Sequence, residues 1–262
     1  MQRICRDVEA EYQALDGLLR HLNEADWNCP TPADGWLVRD QISHIGSTDR
    51  IATIAAGDPE RFHAEILTQD RRERATRQLE MGRALSGTEL LSWWHTGQTA
   101  MLEVFRRLDP KTRIPWFGPA MSAVSFATAR LMETWAHGQD IVDALGFSRP
   151  PSERLRHVAH IGIRALPFSY RIHGKEPPRE DIRVELVSPS GELWAWGTAQ
   201  AVNRVRGNAL DFCLVVTQRR HPADTHLQIE GPIAAEWLSI AQAFAGPPGP
   251  GRQPGQFPHC GS

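Results

Sequence analysis

The spacing of hydrophobic residues in the first part of the chain predicts a series of long amphipathic helices. Within residues 8–22, Val8, Tyr12, Leu15 and Leu19 recur every three or four positions and would share one helical face. Proline, glycine and aspartate interrupt this spacing at the predicted connections. The predicted long helices cover residues 8–22, 36–56, 86–108 and 121–145, and a polar, arginine-rich helical segment covers 60–82. Four helices of this length predict a four-helix bundle.

Beyond residue 150 the hydrophobic pattern changes from the period of a helix to that of a strand. One more helix is predicted over 152–170. Residues 182–187 and 192–197 then alternate between apolar and polar side chains on either side of a turn, which predicts a β-hairpin. Further strands are predicted at 201–206 and 226–230, and further helices at 208–218 and 233–244. This mixture predicts a smaller α+β domain.

Glycine and proline also mark the predicted boundaries. The run GFSRPP at 146–151 is typical of a domain boundary, so we predict a helical domain over 1–147 and an α+β domain over 152–246. Residues 247–262 are rich in glycine and proline and are predicted to form a disordered tail. Ser86 and Glu89 have the spacing of an N-terminal capping box at the start of the third long helix.

Composition and charge narrow the class of protein. The chain has 262 residues, of which 41% are hydrophobic and 23% charged, as in soluble globular proteins. Its net charge of −2 gives no electrostatic basis for binding nucleic acid or an anionic membrane. No run of about 20 apolar residues is present, and the N-terminus lacks the apolar stretch of a signal peptide. Because the four cysteines are far apart, we interpret them as free thiols and expect a cytoplasmic protein.

The candidate chemistry lies on the fourth long helix, where Glu133 and His137 are four residues apart. At this spacing a carboxylate and an imidazole project from the same helical face. They belong to a polar stripe with Arg130 and Asp140 on a helix that is otherwise largely apolar. A buried polar stripe must be paired or bind a metal, and a surface ion pair between Glu133 and His137 is the alternative interpretation.

His44, on the second long helix, is the candidate third ligand. Three protein ligands with one open position are typical of a catalytic metal site. Asp40, one turn before His44, is a candidate hydrogen-bond partner for the ring nitrogen that does not bind metal. Asp140 is the corresponding candidate for His137. A hydrogen-bonded structural histidine is the alternative interpretation of His44.

Two segments around these residues resemble a known family. Residues 34–45, DGWLVRDQISHI, are similar to the GW-x-V-x-D-x-x-x-H-L segment of the DinB/YfiT-like metal-binding bundles, most clearly in the metal-binding domain of mycothiol-dependent maleylpyruvate isomerase. Residues 133–140, ETWAHGQD, resemble the E-x-x-x-H-x-x-D segment of the same domain. The resemblance implies a metal site of His44, Glu133 and His137 with water in the open position. Zinc is the expected ion, and Ni²⁺ and Fe²⁺ are the alternatives.

The rest of the chain also carries a resemblance. From about 1 to 252 it is similar to an actinobacterial group of metal-binding proteins, through segments such as ARLMETWAHGQD at 129–140 and DFCLVVTQRR at 211–220.

The second domain resembles the α/β domain of the isomerase, which is similar to sterol-carrier domains. There an L-T-G-R segment ends in an active-site arginine, which implies this role for Arg219. The sequence departs from that segment at Gln218, and Arg220 makes the assignment ambiguous. Some proteins of the group carry a wyosine-base-formation label, which no cluster motif or basic patch supports here.

These features lead to two functional hypotheses. In the first, the protein is a metal-dependent thiol transferase or isomerase that uses mycothiol or a similar low-molecular-weight thiol, and Arg130 or Arg219 binds a carboxylate of a small-molecule substrate. In the second, it binds a metal or small ligand without turnover and its second domain carries a ligand. The simpler interpretations are a helical ion pair of Arg130 with Glu133 and a helix C-terminal charge at Arg219. Neither hypothesis involves nucleic acid or a membrane, and a homodimer is compatible with both.

Overall fold

The computed structural model describes residues 1–257, and it divides into two compact units. The first unit is Met1–Arg149 and the second begins at Pro150. The described residues are mainly helical, with a two-stranded sheet in the first unit and a four-stranded sheet in the second. None of the helices in this part of the chain is long and apolar enough to cross a membrane.

The first unit contains seven α-helices and a short hairpin. A π-helical turn, Phe62–Ile66, directly follows the fourth helix. In chain order the elements are α1 (Gln2–Leu19), α2 (Glu24–Trp27), α3 (Val38–Gly57), α4 (Pro59–Arg61), α5 (Arg71–Ala84), α6 (Gly87–Arg107), β1 (Arg113–Ile114), β2 (Met121–Ser122) and α7 (Ala123–Leu145).

The four long helices α1, α3, α6 and α7 surround a shared apolar core. Helix α1 packs against α6 and α7, and α3 packs against the same two helices. Val8, Leu15 and Leu19, which the hydrophobic spacing assigns to a buried face, are completely buried. The predicted long helices are therefore present, and their ends differ from the predictions by a few residues. Burial of the apolar faces of these helices stabilises the assembly by about 25 cal/mol per Å² of apolar surface removed from water.

Local capping explains where the helices begin and end. The Ser86 hydroxyl accepts the Glu89 N–H at 3.3 Å, and the Glu89 carboxylate accepts the Ser86 N–H at 2.8 Å, which is the predicted capping box. Helix α7 ends at Gly146, whose φ of 64° is the left-handed conformation that favours glycine. At the start of α3, Asp40 accepts the Leu37 N–H at 2.9 Å.

Over its described residues, the second unit combines four α-helices and a short 3-10 helix, Pro222–Asp224, with a mixed sheet. Its strands have the order β4-β3-β5-β6, in which β3 and β5 are parallel and the other pairs are antiparallel. The predicted hairpin corresponds to β3 and β4, with Leu186 opposite Trp194. In chain order the elements are α8 (Leu155–Arg164), α9 (Leu166–Ile172), β3 (Ile182–Val187), β4 (Leu193–Trp196), β5 (Asn203–Asn208), α10 (Ala209–Val216), β6 (Gln228–Glu230) and α11 (Pro232–Ile240).

The structure differs from the sequence predictions in one part of this unit. The helix predicted over 152–170 is divided into α8 and α9, because Pro167 has no amide hydrogen with which to continue α8. Residues 247–257, within the predicted tail, form neither helix nor strand, and two of their amides are hydrogen-bonded to the rest of the unit. Gly249 donates its N–H to Gln242 Oε1 at 3.0 Å, and Gly255 donates to Asp224 Oδ1 at 2.8 Å. The remainder of the predicted tail, 258–262, lies outside the described residues.

Candidate metal centre

Three potential metal ligands converge between α3 and α7. His44 lies on α3, and Glu133 and His137 lie one turn apart on α7. Their ligand atoms are all within 4.8 Å of one another. His137 Nε2 is 3.3 Å from Glu133 Oε2, and the rings of His44 and His137 have centroids 4.7 Å apart. The structure therefore brings together the three residues that the sequence predicted as ligands, although His44 is 89 positions before Glu133 in the chain.

Helix packing and a tryptophan hold the cluster in place. Arg130 Nη2 on α7 donates to the Ile45 carbonyl on α3 at 3.3 Å, directly beside the ligands. The ring of Trp36 contacts both imidazoles, with centroid distances of 5.3 Å to His44 and 5.9 Å to His137. The side chains of His137 and Glu133 retain 14% and 23% of their exposure, so the cluster can be reached from solvent.

The ring nitrogen of His137 that faces away from the cluster contacts a glutamine. His137 Nδ1 is 2.5 Å from Gln41 Oε1, and Gln41 Nε2 donates to Thr31 Oγ1 at 2.9 Å. Thr31 Oγ1 in turn donates to the Trp36 carbonyl at 2.9 Å. The prediction that Asp140 occupies this position next to His137 is wrong, because Gln41 on α3 reaches Nδ1 instead.

His44 also has a partner other than the predicted one. The side chain of Gln78 on α5 lies near its ring and acts to raise the pKa of His44, against the larger effect of burial. Asp40 instead receives the guanidinium of Arg83 at 2.6 Å and the Leu37 N–H at 2.9 Å. The prediction that Asp40 orients His44 is wrong, because the Asp40 carboxylate caps the start of α3 and forms a salt bridge with Arg83 on α5.

Burial and mutual charge set the protonation of the cluster. Burial lowers the pKa of His44 to about 3, and the neighbouring His137 lowers it further than Glu133 raises it. For Glu133, burial alone would raise the pKa, but the hydrogen bond and charge of His137 in its protonated form, together with Arg130 and His44, bring it down to about 2. Near neutral pH, therefore, His44 is a neutral imidazole and Glu133 a carboxylate.

This donor set fits a divalent metal ion. Two imidazole nitrogens and one carboxylate oxygen are the ligands of many catalytic zinc sites, which leave a fourth position for water or substrate. A neutral histidine and an ionised glutamate are the protonation states that bind metal. The chemistry of these residues thus matches the metal-binding interpretation of the cluster.

Sequence comparison agrees with the geometry. The family model described as mycothiol maleylpyruvate isomerase N-terminal domain matches residues 8–142, more than half of the chain and all three candidate ligands. The chain belongs to this family. Two uncharacterized proteins of Mycobacterium tuberculosis, from strains CDC 1551 and H37Rv, are each 45% identical over 250 residues, which cover 94% of this chain and 96% of theirs.

Solved structures of the isomerase have the same fold. The crystal structure of mycothiol-dependent maleylpyruvate isomerase is 16% identical, with a TM-score of 0.59 over 84% of this chain and 89% of that one. A mutant of that enzyme with alanine in place of a histidine has a TM-score of 0.60 and 14% identity over the same shares. A second family model, described as wyosine base formation, matches residues 178–228, which include β3, β4, β5 and α10.

Arg130, one of the two arginines predicted to bind a substrate carboxylate, forms a buried salt bridge within the first unit. Its guanidinium is 2.9 Å from Asp49 Oδ1, and its side chain is 3% exposed. Arg130 therefore neutralises a buried carboxylate of α3. Its charge also helps to lower the pKa of Glu133, one turn further along α7.

Arg219, the other candidate, follows α10 in the second unit. The preceding Gln218 has a φ of 59°, the left-handed conformation that glycine adopts readily and that costs other residues about 1 kcal/mol or more. Gln218 stands where the L-T-G-R segment that the sequence resembles has glycine, and it adopts a conformation that favours glycine. Arg219 Nη1 donates to the Thr217 carbonyl at 2.6 Å, while Arg220 lies 4.2 Å from the centre of the Phe257 ring.

Several residues of the centre have no role that the sequence predicts. Thr31, Trp36, Gln41 and Gln78 surround the two histidines, yet none belongs to the usual metal ligands. Gln41 could have been noticed, because it precedes His44 by three positions and therefore faces the same side of α3. Gln78 lies in an arginine-rich helix whose sequence gives no indication of a nearby site.

Proposed function

We propose that the protein binds a divalent metal, with zinc as the first expectation, and acts as a mycothiol-type thiol transferase or isomerase. The observation that carries this proposal is the convergence of His44, Glu133 and His137 within 4.8 Å, with partial exposure to solvent. Membership of the mycothiol maleylpyruvate isomerase N-terminal domain family supports a thiol cosubstrate. A bound metal would lower the pKa of a thiol or water in the open position.

The chain's own residues would prepare the site in two ways. Against the effect of burial, the charge of Arg130 helps to keep Glu133 ionised, so its carboxylate is available as a ligand near neutral pH. Trp36 covers one side of both imidazole rings and limits their rotation. Both effects reduce the rearrangement that ligand binding would require, which favours affinity.

We further propose that Arg219 binds a carboxylate of a small-molecule substrate. A guanidinium presents two parallel N–H donors that match a carboxylate, and the left-handed Gln218 supports the correspondence with the family's arginine. Arg219→Ala should raise KM at least tenfold while leaving metal content unchanged, with Arg220→Ala as the comparison. If Arg220→Ala has the larger effect on KM, Arg220 holds this role instead.

The second unit would be the sterol-carrier-like domain implied by the resemblance. Its cavity of about 190 Å³ is lined by polar residues including His173, Gln218, Arg220 and His221. Small-molecule pockets usually measure about 300–1,000 Å³. The size and the partly polar lining of this cavity favour a small polar ligand over a lipid.

Metal analysis of the purified protein tests the proposal. We expect about one zinc per chain in wild type and loss of most of it in His44→Ala. His95→Ala is the matched control, because His95 is half-exposed and contacts Asp16 elsewhere in the first unit. Equal metal content in all three proteins would show that the site is wrong. A mycothiol-dependent isomerisation assay with maleylpyruvate then separates an enzyme from a protein that only binds metal.

A further inference from the structure

We propose that Gln41, oriented by Thr31, selects the ring tautomer of His137 that can bind a metal. This inference rests on the proposed function, since it assigns a purpose to residues around the same centre. Neither Gln41 nor Thr31 would touch the metal or a substrate, so both are positioning residues. Gln41 is completely buried, and Thr31 is partly buried.

The Trp36 carbonyl determines the direction of the hydrogen bonds that connect it through Thr31 and Gln41 to His137. The Trp36 carbonyl can only accept, so the single hydroxyl hydrogen of Thr31 is donated to it, at 2.9 Å. Thr31 Oγ1 must then accept from Gln41, which places the amide nitrogen of Gln41 at 2.9 Å from Thr31.

The orientation of the Gln41 amide determines the tautomer of His137. With its nitrogen held by Thr31, Gln41 presents its oxygen, an obligatory acceptor, to His137 Nδ1 at 2.5 Å. Nδ1 must therefore carry the ring hydrogen. In the neutral ring, Nε2 then keeps its lone pair on the side that faces Glu133 and His44.

The opposite tautomer has its own source of stabilisation. His137 Nε2 lies 3.3 Å from the Glu133 carboxylate, which would accept a hydrogen from it. A neutral ring with hydrogen on Nε2 would have no lone pair for a metal at the centre. Without Gln41, the strong acceptor within the centre would favour the tautomer that cannot bind. Because Gln41 is buried, solvent water does not readily replace its oxygen.

Nitrogen NMR of the metal-free protein tests the tautomer directly. In ¹⁵N-histidine-labelled wild type at a pH where the His137 ring is neutral, we expect a protonated Nδ1 and an unprotonated Nε2. Gln41→Leu removes the acceptor, and Thr31→Val allows the Gln41 amide to turn its nitrogen toward His137. Both variants should move the hydrogen to Nε2, whereas Thr31→Ser should resemble wild type. A wild-type ring protonated at Nε2, or unchanged tautomers in the folded variants, would overturn the inference.

Zinc titration gives the second readout. Loss of a hydrogen-bond partner behind a metal-binding histidine typically weakens affinity about 10–100-fold, and we expect this for Gln41→Leu and Thr31→Val. Gln41→Glu retains an acceptor and should bind like wild type. Gln98→Leu is the matched control, because among the described residues the Gln98 side-chain nitrogen has no hydrogen-bond partner.

The two experiments separate failure of this inference from failure of the proposed function. If wild type binds no zinc at His44, Glu133 and His137, the proposed function is wrong, and the NMR tautomer still decides whether Gln41 acts as described. If wild type binds zinc and both folded Thr31→Val and Gln41→Leu bind it equally well, only the inference is wrong. Circular dichroism establishes that each variant is folded, and Thr31→Val provides the test if Gln41→Leu does not fold.

Discussion

Arg130 and Asp49 form an ion pair that is almost completely withdrawn from solvent. The two side chains are 3% and 0% exposed and lie 2.9 Å apart. Burial of either charge alone would cost several kcal/mol, so each depends on the other. This dependence explains how a polar stripe persists on α7 although the helix is buried around most of its circumference.

Removal of Arg130 should therefore destabilise the protein strongly. We expect Arg130→Met to lower the free energy of unfolding by about 3–5 kcal/mol, because it leaves the Asp49 carboxylate buried without its partner. Urea denaturation provides the measurement. Arg20→Met is the control: Arg20 also pairs with an aspartate, Asp16, but is 56% exposed, and its change should cost less than about 1 kcal/mol. Equal losses in the two variants would contradict a special role for the buried pair.

His44 should make the stability of the metal-free protein depend on pH. Its pKa falls from the ordinary 6.5 to about 3 on folding, so below pH 6.5 the unfolded chain binds a proton that the folded protein does not. The free energy of unfolding should decrease as the pH falls below 6.5, by up to about 1.4 kcal/mol per pH unit.

The contribution of His44 can be separated from that of Glu133. Glu133 has its pKa lowered from 4.5 to about 2, so it adds stability above pH 4.5 that is lost only as the pH falls below that value. Because burial also lowers the pKa of His160, the contribution of His44 is the part of the slope between pH 6.5 and 4.5 that His44→Gln removes. Chelator-treated His44→Gln should have a shallower slope than wild type in denaturation curves over this range. An unchanged slope would show that His44 is readily protonated in the folded protein.

At the scale of the elements, α5 approaches α3 very closely at one glycine. A Cβ atom at Gly82 would lie 2.5 Å from the Cβ of Ser43, which is too close without movement of one helix. The Ser43 hydroxyl also donates to the Gln78 carbonyl. This contact places Gln78 beside His44, so the glycine connects helix packing to the metal centre.

We expect Gly82→Ala to lower the free energy of unfolding by about 1–3 kcal/mol, the usual cost of overpacking a tight contact. Gly17→Ala on α1 is the matched control, because a Cβ there meets no atom within 4 Å. That variant should gain about 0.5–1 kcal/mol from the lower flexibility of alanine in a helix. Thermal denaturation of both variants gives the comparison, and a stabilised Gly82→Ala would contradict the close approach of α5.

At the scale of the whole molecule, the proposed metal would connect segments that are distant in sequence. His44 and the pair on α7 belong to helices that pack against each other in the core of the first unit. A ligand that binds only the folded state stabilises it by about 2.7 kcal/mol at one hundred times its Kd. Zinc should therefore raise Tm and a chelator should lower it.

Scanning calorimetry of wild type and His44→Ala measures this effect. We expect the zinc-dependent shift in Tm to disappear in His44→Ala, while His95→Ala retains it. A shift of the same size in His44→Ala would place zinc elsewhere on the protein.

The helices, the strands and the Glu133–His137 pair could be predicted from the sequence because each depends on residues that are close along the chain. The apolar period of α1, α3, α6 and α7 follows from burial of one face of each helix. The spacing of Glu133 and His137 fixes their common face before any packing occurs. His44 required the family resemblance, because nothing in the sequence shows that residue 44 and residue 133 meet.

The sequence by itself thus determined the helices, the strands and the pair of ligand candidates on α7, because hydrophobic period and side-chain spacing act within a few turns, and its family resemblance added His44. Only the tertiary structure decided the partners of those residues. Asp40 and Asp140 were the nearest acids along the chain, yet Gln78 and Gln41 from packed helices reach the two histidines. Arg130 likewise pairs with Asp49 on α3 instead of its neighbour on α7. The partners of buried polar and charged side chains depend on which helix surfaces are in contact, and only the packing of the helices determines those contacts.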